Sequence, residues 1–487
     1  LEYISSHFSN HIAFKNYEKE WTYSMLYQDI CRLNSYFISG SQQFYYIAIQ
    51  HPYYFCVSFF SIIISGKTAI LESKSDLALE TVEIIDEQKI HQIIASSHIS
   101  NLSHTYNRDA CCVIAQSSGT TSIAKSVMLS QRNLLSDMRA GMQCCLFPEK
   151  AVYYHVLPYS HLFGIVADLL GPLYSGATIT FSDNNLNFFK DMQYFCPTHM
   201  NLPPIMISTI EKMIFSSKQG IKITGGRLKK IISAGAALDE KCRISLEKYG
   251  IYVFSAYGLT ECSPCISINR DRASKPNSAG QILPCCKVAI INEEIVVHGE
   301  NVMLGYWNDV NSTNIVMQNG WLHTGDLGYL DEDGFLFLTG RKSNLIVFED
   351  GTKMIPEQIE KDILLIDNIQ ECLITKVQKN HRTMLKLTIV LVNHLGVEMV
   401  SNKIYDYLKL SDRNHLKRDY TIVRRFEGGT EIMGIWLSYV FLILAVLCIV
   451  GQFLITKLYQ RSVRQALITS LFFVLLSSFV TLVIFFV

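Results

Sequence analysis

What the sequence lacks narrows its function first. Lysine plus arginine number 43 and aspartate plus glutamate 43, so the formal charge is zero. A chain with no basic excess has no electrostatic footprint for a phosphate backbone, and nucleic acid is excluded as an expected partner. There is no leading methionine and no charged-then-apolar leader, which leaves open whether residue 1 is the native first residue. Internal repeats and long low-complexity tracts are also absent. With 49% hydrophobic content in 487 residues, the chain suits two or three domains with sizeable cores rather than bulk disorder. A second CxxC pair is missing too. The one present, "CSPC" at Cys262 to Cys265, therefore has neither the partner of a zinc site nor a thioredoxin-like context. The 14 cysteines, some adjacent as in Cys111-Cys112, Cys144-Cys145 and Cys285-Cys286, read as reduced thiols of a cytosolic protein.

Charge is absent again near the C-terminus. Residues 435 to 455, "IWLSYVFLILAVLCIVGQFLI", and 466 to 487 carry no charged side chain over 21 and 22 residues. Each run exceeds the 20 or so residues that span a bilayer as a helix, so a two-helix membrane hairpin around "KLYQRSVRQ" is expected. Its loop holds Lys457, Arg461 and Arg464, whereas Arg413, Lys417, Arg418, Arg424 and Arg425 precede it. Cytoplasmic loops favour such cations, so the two groups pull in opposite directions. A hairpin that enters without crossing reconciles them.

Upstream, short apolar runs alternate with helix-like stretches. "YYIAIQ", "KTAILES", "HQIIASS" (91 to 97), "ACCVIAQ", "VYYHVLP" and "LKKIISAG" read largely as buried strands, with amphipathic segments such as "MLYQDICRLNSYFI" between them. That alternation predicts a parallel sheet covered by helices. From about Ala279 to Tyr329 glycine-punctuated strands predict a small antiparallel or barrel-like unit. Residues 342 to about 433 mix a helix ("IPEQIEKDILLI") with strands ("ECLITKV", "LKLTIVLV"), an α+β pattern.

Against this background "AQSSGTTSIAKS" follows a strand with a cluster of Gly, Ser and Thr and then a lysine. Backbone N–H groups and hydroxyls of Ser117, Ser118, Gly119, Thr120 and Thr121, with the Lys125 cation, meet the physical requirements for holding a polyphosphate. A plain turn has the same composition. A Walker A loop is nearly matched, but Ala124 stands where its second glycine must be, which argues against a P-loop NTPase. "YGLTE" (Tyr257 to Glu261) adds an aromatic ring for a base, a hydroxyl for a phosphate and a carboxylate for Mg²⁺. "TGD", ending at Asp326, adds a carboxylate that can accept from two ribose hydroxyls. "GRKSNLI" adds the Arg341 fork for phosphate or ribose oxygens.

The order SSGTT…K, PYSHLFG, SAGA, YGLTE, GENVMLGYW, GWLHTGD, GRKSNLI, GTKMIPEQIE resembles the acyl-adenylate-forming (AMP-binding) superfamily, acyl-CoA synthetases included. "WTYSMLYQDICRL" is similar to its opening segment. The resemblance covers about residues 1 to 433. It implies an α/β fold: a large N-terminal domain (1–340) of two βαβ-type sheets plus a distorted β-barrel, and a small α+β C-terminal domain (341–433). The membrane hairpin (434–487) would follow. It implies ATP-dependent conversion of a carboxylic acid to acyl-AMP, then transfer to the thiol of coenzyme A or of carrier-protein phosphopantetheine. By matching position, Ser118 to Thr121 and Lys125 fall on the phosphate loop. Thr260 would contact the α-phosphate and Glu261 the Mg²⁺. Tyr257 and Gly235 would surround adenine, Asp326 would hold ribose, and Arg341 ribose or phosphate. His161 would flank the reacting carboxylate. Gly164, not Asp, follows Phe163, which disfavours an amino acid and favours a fatty or other hydrophobic acid.

Three departures stand out. The loop reads Ser122, Ile123, Ala124, Lys125, Ser126 where the family has GxPKG, and Ser343 occupies the hinge. The family's C-terminal catalytic lysine falls near Glu431, and no lysine occurs between Lys417 and Lys457. The alternative expectation is thus an adenylation-deficient acyl- and nucleotide-binding membrane protein. Either way, a membrane-associated protein with its ATP chemistry facing the cytoplasm is expected, with membrane lipid and possible acyl carrier protein among its partners.

Overall fold

The computed structural model describes residues 2–71, 82–97, 99, 102, 107–117, 124–145, 148, 150–182, 187–271, 273–348, 352–379, 382–391, 399–400, 402–404 and 420–422. The expected membrane hairpin, the loop residues 118 to 123 and Glu431 lie outside that set. Among the described residues no helix is long and apolar enough to cross a membrane. The chain divides into two compact units, residues 1–344 and 345–487.

In the first unit a nine-stranded sheet has at its centre the parallel strands Tyr252–Tyr257, Lys230–Ser233, His199–Leu202, Val152–Tyr154, Thr178–Thr180 and Ile12–Lys15, in that spatial order. A six-stranded sheet runs Gly305–Tyr306, Ser126–Ser130, Cys111–Gln116, Thr68–Ile70, Phe44–Ala48, Val82–Asp86. A third, antiparallel sheet joins Cys286–Ile291, Glu294–Gly299, Trp321–Leu330, Met317–Gln318 and Leu336–Arg341. The first two match the expected helix-covered sheets. Where the sequence predicted a distorted barrel, the structure has this five-stranded sheet, and no pairing among the described residues closes it on itself.

Local chemistry explains the helices between them. Tyr23–Ser39 starts where the Thr22 side chain accepts from the Met25 N–H at 3.2 Å, and its Leu26, Ile30, Leu33 and Phe37 recur at helical spacing into the core. Gln131–Cys144 opens with a reciprocal capping box between Ser130 and Asn133. One strand reading fails. "HQIIASS" lies in a helix, Glu87–Ser96, capped by Asp86, whose carboxylate accepts from Lys89 N–H at 2.8 Å. The strand is the preceding Val82–Asp86, in parallel register with Phe44–Ala48. Only Ile90 and Ile93 of the helix are buried, and the seven-residue run 91 to 97 holds just one of them, too little to show a helical period.

The second unit holds the helix Pro356–Leu364 and the antiparallel pair Ile369–Lys379 and Arg382–Leu391, to which Tyr420–Ile422 adds in parallel. Ile359, Ile363, Ile374, Leu387 and Ile389 form its core. This is the α+β composition the sequence predicts.

Candidate active site

In open parallel sheets, ligands bind beyond the carboxyl ends of the strands, because loops leaving neighbouring strands converge there. In the nine-stranded sheet, Tyr257 ends one strand and leads into the short turn of 3₁₀-helix Thr260–Cys262. Gly235 follows the next, and His161 follows Val152–Tyr154 two strands further on. Three strand spacings separate the Tyr257 and His161 strands, about 14 Å.

One cluster is built around Asp326. It sits opposite Arg341 across an antiparallel pair, just after the left-handed Gly325 (φ 74°). One carboxylate oxygen lies 3.1 Å from Arg341 Nε, and the other accepts from the Tyr257 hydroxyl at 2.8 Å. Burial raises the Asp326 pKa above the ordinary aspartate value, against the pull of Tyr257 and Arg341. Both oxygens keep a second lone pair, so the group can still accept from a ligand's hydroxyls. Tyr257 is itself buried, and its hydroxyl is directed at Asp326. It fixes the carboxylate rather than offering an open ring face. Gly258 is demanded by packing, since a Cβ there would lie 1.9 Å from the Pro264 carbonyl oxygen.

A second cluster gathers on the six-stranded sheet. Ser117 N–H donates to the Lys125 carbonyl (2.8 Å) and Lys125 N–H to Ser117 Oγ (3.1 Å), closing the base of the Ser/Thr/Gly loop. Lys125 Nζ stands 4.8 Å from the centre of the Tyr306 ring, whose hydroxyl donates to Glu261 Oε1 at 2.8 Å. The Thr260 hydroxyl reaches the Gln116 carbonyl at 3.4 Å, and Met303 N–H donates to the Glu261 carbonyl. Lys125, Thr260 and Glu261 thus meet on one edge, and the four peptide bonds from Tyr257 to Glu261 tie this cluster to Asp326 and Arg341. The phosphate-loop residues Ser118, Gly119, Thr120 and Thr121 are outside the described residues.

His161 is exposed, at the start of the helix Leu162–Ile165, which continues as the π-helical turn Val166–Leu170. A packed core histidine is therefore not what it is. Gly164 lies against Pro158, where a Cβ would come within 2.6 Å of the carbonyl oxygen, so an aspartate at this place would require the backbone to move. Gly235 adopts φ 89°, a conformation only glycine takes readily.

Glu261 is the candidate metal ligand. A single buried carboxylate suits Mg²⁺ delivered with a nucleotide, since that ion keeps waters and phosphate oxygens and takes one or two protein carboxylates. Among the described residues no group of three His, Cys, Asp or Glu is arranged to hold a resident metal. The Cys262–Cys265 pair consists of free thiols, and burial pushes Cys262 up.

Two contributors escape a reading by motif. Tyr306 lies inside GENVMLGYW but gives no chemical sign of its role until it is seen between Lys125 and Glu261. Glu294, in a run of ordinary strand residues, is buried and accepts from Gly325 N–H (3.1 Å) and Lys342 Nζ (2.9 Å), and pairs with His323 Nδ1 (3.1 Å). It therefore grips both the turn before Asp326 and the residue after Arg341. Burial pulls its pKa up, but Lys342, His323 and the Gly325 N–H outweigh it and hold the group below its ordinary value of 4.5. A carboxylate with a depressed pKa stabilises the fold above that ordinary value and loses the contribution as pH falls through the folded value. Glu294→Gln is expected to flatten the acid limb of stability. Melting midpoints between about pH 3 and 7 check this, and parallel curves for the two proteins would refute it.

A profile of the family described as AMP-binding enzyme matches residues 60–307. The chain is 29% identical over 275 residues to a long-chain-fatty-acid–CoA ligase of Salmonella typhimurium, covering 52% of this chain and 48% of that protein. It is 28% identical over 327 residues to the 4-coumarate–CoA ligase-like 9 protein of rice, covering 61% and 57%. It thus spans about half the length of the curated relatives it matches. Among solved structures, o-succinylbenzoate CoA synthetase of Bacillus subtilis with its acyl-adenylate intermediate superposes with a TM-score of 0.71 at 20% identity, covering 87% of this chain and 93% of that one. ATP-bound MatB of Rhodopseudomonas palustris superposes with 0.74 at 19%, covering 86% and 94%. The α/β fold with several sheets is shared with both.

Proposed function

The chain belongs to the AMP-binding enzyme family, and from that premise we propose that it activates a carboxylic acid with ATP to acyl-AMP and passes the acyl group to a thiol. The observation that carries the reading is the meeting of Ser117, Lys125, Thr260 and Glu261 with the Tyr257–Asp326–Arg341 group in one unit. Bringing a carboxylate against a polyphosphate is opposed by charge repulsion, and the chain's groups answer that need. Lys125 supplies a cation and the Thr260 hydroxyl a donor to phosphate oxygens. Glu261 holds the Mg²⁺ that arrives with ATP and supplies further charge neutralisation. Asp326, fixed by Tyr257 and Arg341, orients the ribose, and His161 walls the acyl side.

The acid in this reading is fatty or otherwise hydrophobic. Gly164 leaves no room for the aspartate that would pair with a buried ammonium, and relatives are named for long-chain fatty acids and 4-coumarate. The acceptor is coenzyme A or the phosphopantetheine of an acyl carrier protein. Attachment to membrane lipid through the uncharged C-terminal runs, with the nucleotide side cytoplasmic, belongs to the same proposal. The absence of lysine between Lys417 and Lys457 favours the second reading, a protein that binds nucleotide and acyl group without adenylating. Isotope exchange between pyrophosphate and ATP, run with a panel of carboxylic acids, separates them. Acid-dependent exchange is expected. ATP binding without exchange for any acid would establish the second reading.

A further inference from the structure

The helix Gln131–Cys144 carries cavities on two adjoining faces. One, of about 360 Å³, is walled by Phe59, Phe60, Ile63, Ile64, Leu134 and Leu170, with Glu2 and Tyr3 also lining it. The other, also of about 360 Å³, is walled by Arg108, Arg132, Arg139, Ser136 and Gln143, with Glu300 among them. Leu135 is part of both walls. At 100° per residue, Gln131 and Leu134 look to one side of the helix, Arg132, Ser136, Arg139 and Gln143 to the other, and Leu135 lies between. Each volume falls in the range small-molecule pockets occupy.

The two faces differ in chemistry. Arg132 is held by both oxygens of Asp109 (2.5 and 3.1 Å) and lies 3.7 Å from Glu300. Arg108 and Arg139 form no ion pair among the described residues. Three guanidinium forks therefore outnumber the two carboxylates around the second cavity, and such forks suit phosphate oxygens. The site is not the nucleotide cluster: the strand Cys111–Gln116, about 20 Å long, runs from three residues after Arg108 to the residue before Ser117.

We infer that this helix binds an amphipathic anion, a single apolar chain in the first cavity and its phosphate head on the arginines of the second. The inference stands apart from the ligase reading. The full chain is titrated by calorimetry with dodecyl phosphate below its micellar concentration, and with dodecyltrimethylammonium and inorganic phosphate. The expected result is one saturable site for dodecyl phosphate alone, unaffected by ATP. Arg139→Glu and Arg108→Glu, both at exposed positions, are each expected to weaken it about tenfold or more with unchanged circular dichroism. Equal binding of the cationic amphiphile, unchanged affinity in both variants, or displacement by ATP would overturn the site. So would association with phosphatidate vesicles without binding of the monomeric probe, which would mark a bilayer contact instead of a cavity.

Discussion

Glu261→Gln is expected to slow acid-dependent pyrophosphate exchange by about 10² to 10³ while ATP affinity changes only a few-fold. The substitution isolates charge. Glutamine keeps a carbonyl oxygen for the Tyr306 hydroxyl, which now lies 2.8 Å from Oε1, so the local packing has no reason to change. What disappears is the negative charge that would hold Mg²⁺ against the phosphates, and with it stabilisation that matters most as charge develops in the transition state. Lys125, Thr260 and Asp326 stay in place, so ground-state binding survives. Raising Mg²⁺ should restore part of the rate. An exchange rate within about threefold of wild type would remove Glu261 from the chemistry.

The second large effect concerns the place where the family has its C-terminal lysine. Glu431→Lys is expected to raise the exchange rate by about 10² to 10³, because the resemblance to the family aligns residue 431 with the lysine whose charge serves adenylation. Arg424 and Arg425 are the competing source of that cation. If they already serve, Glu431→Lys will leave the rate unchanged and Arg424→Ala with Arg425→Ala will abolish it. If the rate is nil in wild type and rises only in Glu431→Lys, the natural chain has lost its first half-reaction. Exchange at a rate typical of the unaltered family in wild type, indifferent to all three changes, would show that no cation from this stretch takes part.

Particular residues show how far the sequence could be read. YGLTE, TGD and GR could be read for chemistry because each carries its groups in adjacent residues, whereas the Gly/Ser/Thr loop from Ser118 to Ile123 lies outside the described residues; strands such as Cys111–Gln116 were legible because they are short, apolar and bounded by turns. The helix Glu87–Ser96 was misread because its buried face is only Ile90 and Ile93, and its start depends on one capping carboxylate. Glu294 and Tyr306 were missed for a different reason. Their partners, Gly325, Lys342 and His323 for one and Glu261 and Lys125 for the other, are distant in the chain. No local pattern marks a carboxylate that is useful only because of what folds onto it.

By itself the sequence determined which chemical groups are present and in what order. Why residue 258 must be glycine shows only in the fold, where a Cβ would lie 1.9 Å from the Pro264 carbonyl oxygen. Only the tertiary structure decided that Tyr257 spends its hydroxyl on Asp326, that Lys125 and Glu261 share Tyr306, and that one helix carries an apolar and an arginine-lined cavity side by side. Parallel strands deliver their carboxyl ends to one edge whatever their separation in the chain, and strand pairing sets Asp326 opposite Arg341. Those are properties of register and packing, which a string of residues constrains but does not display.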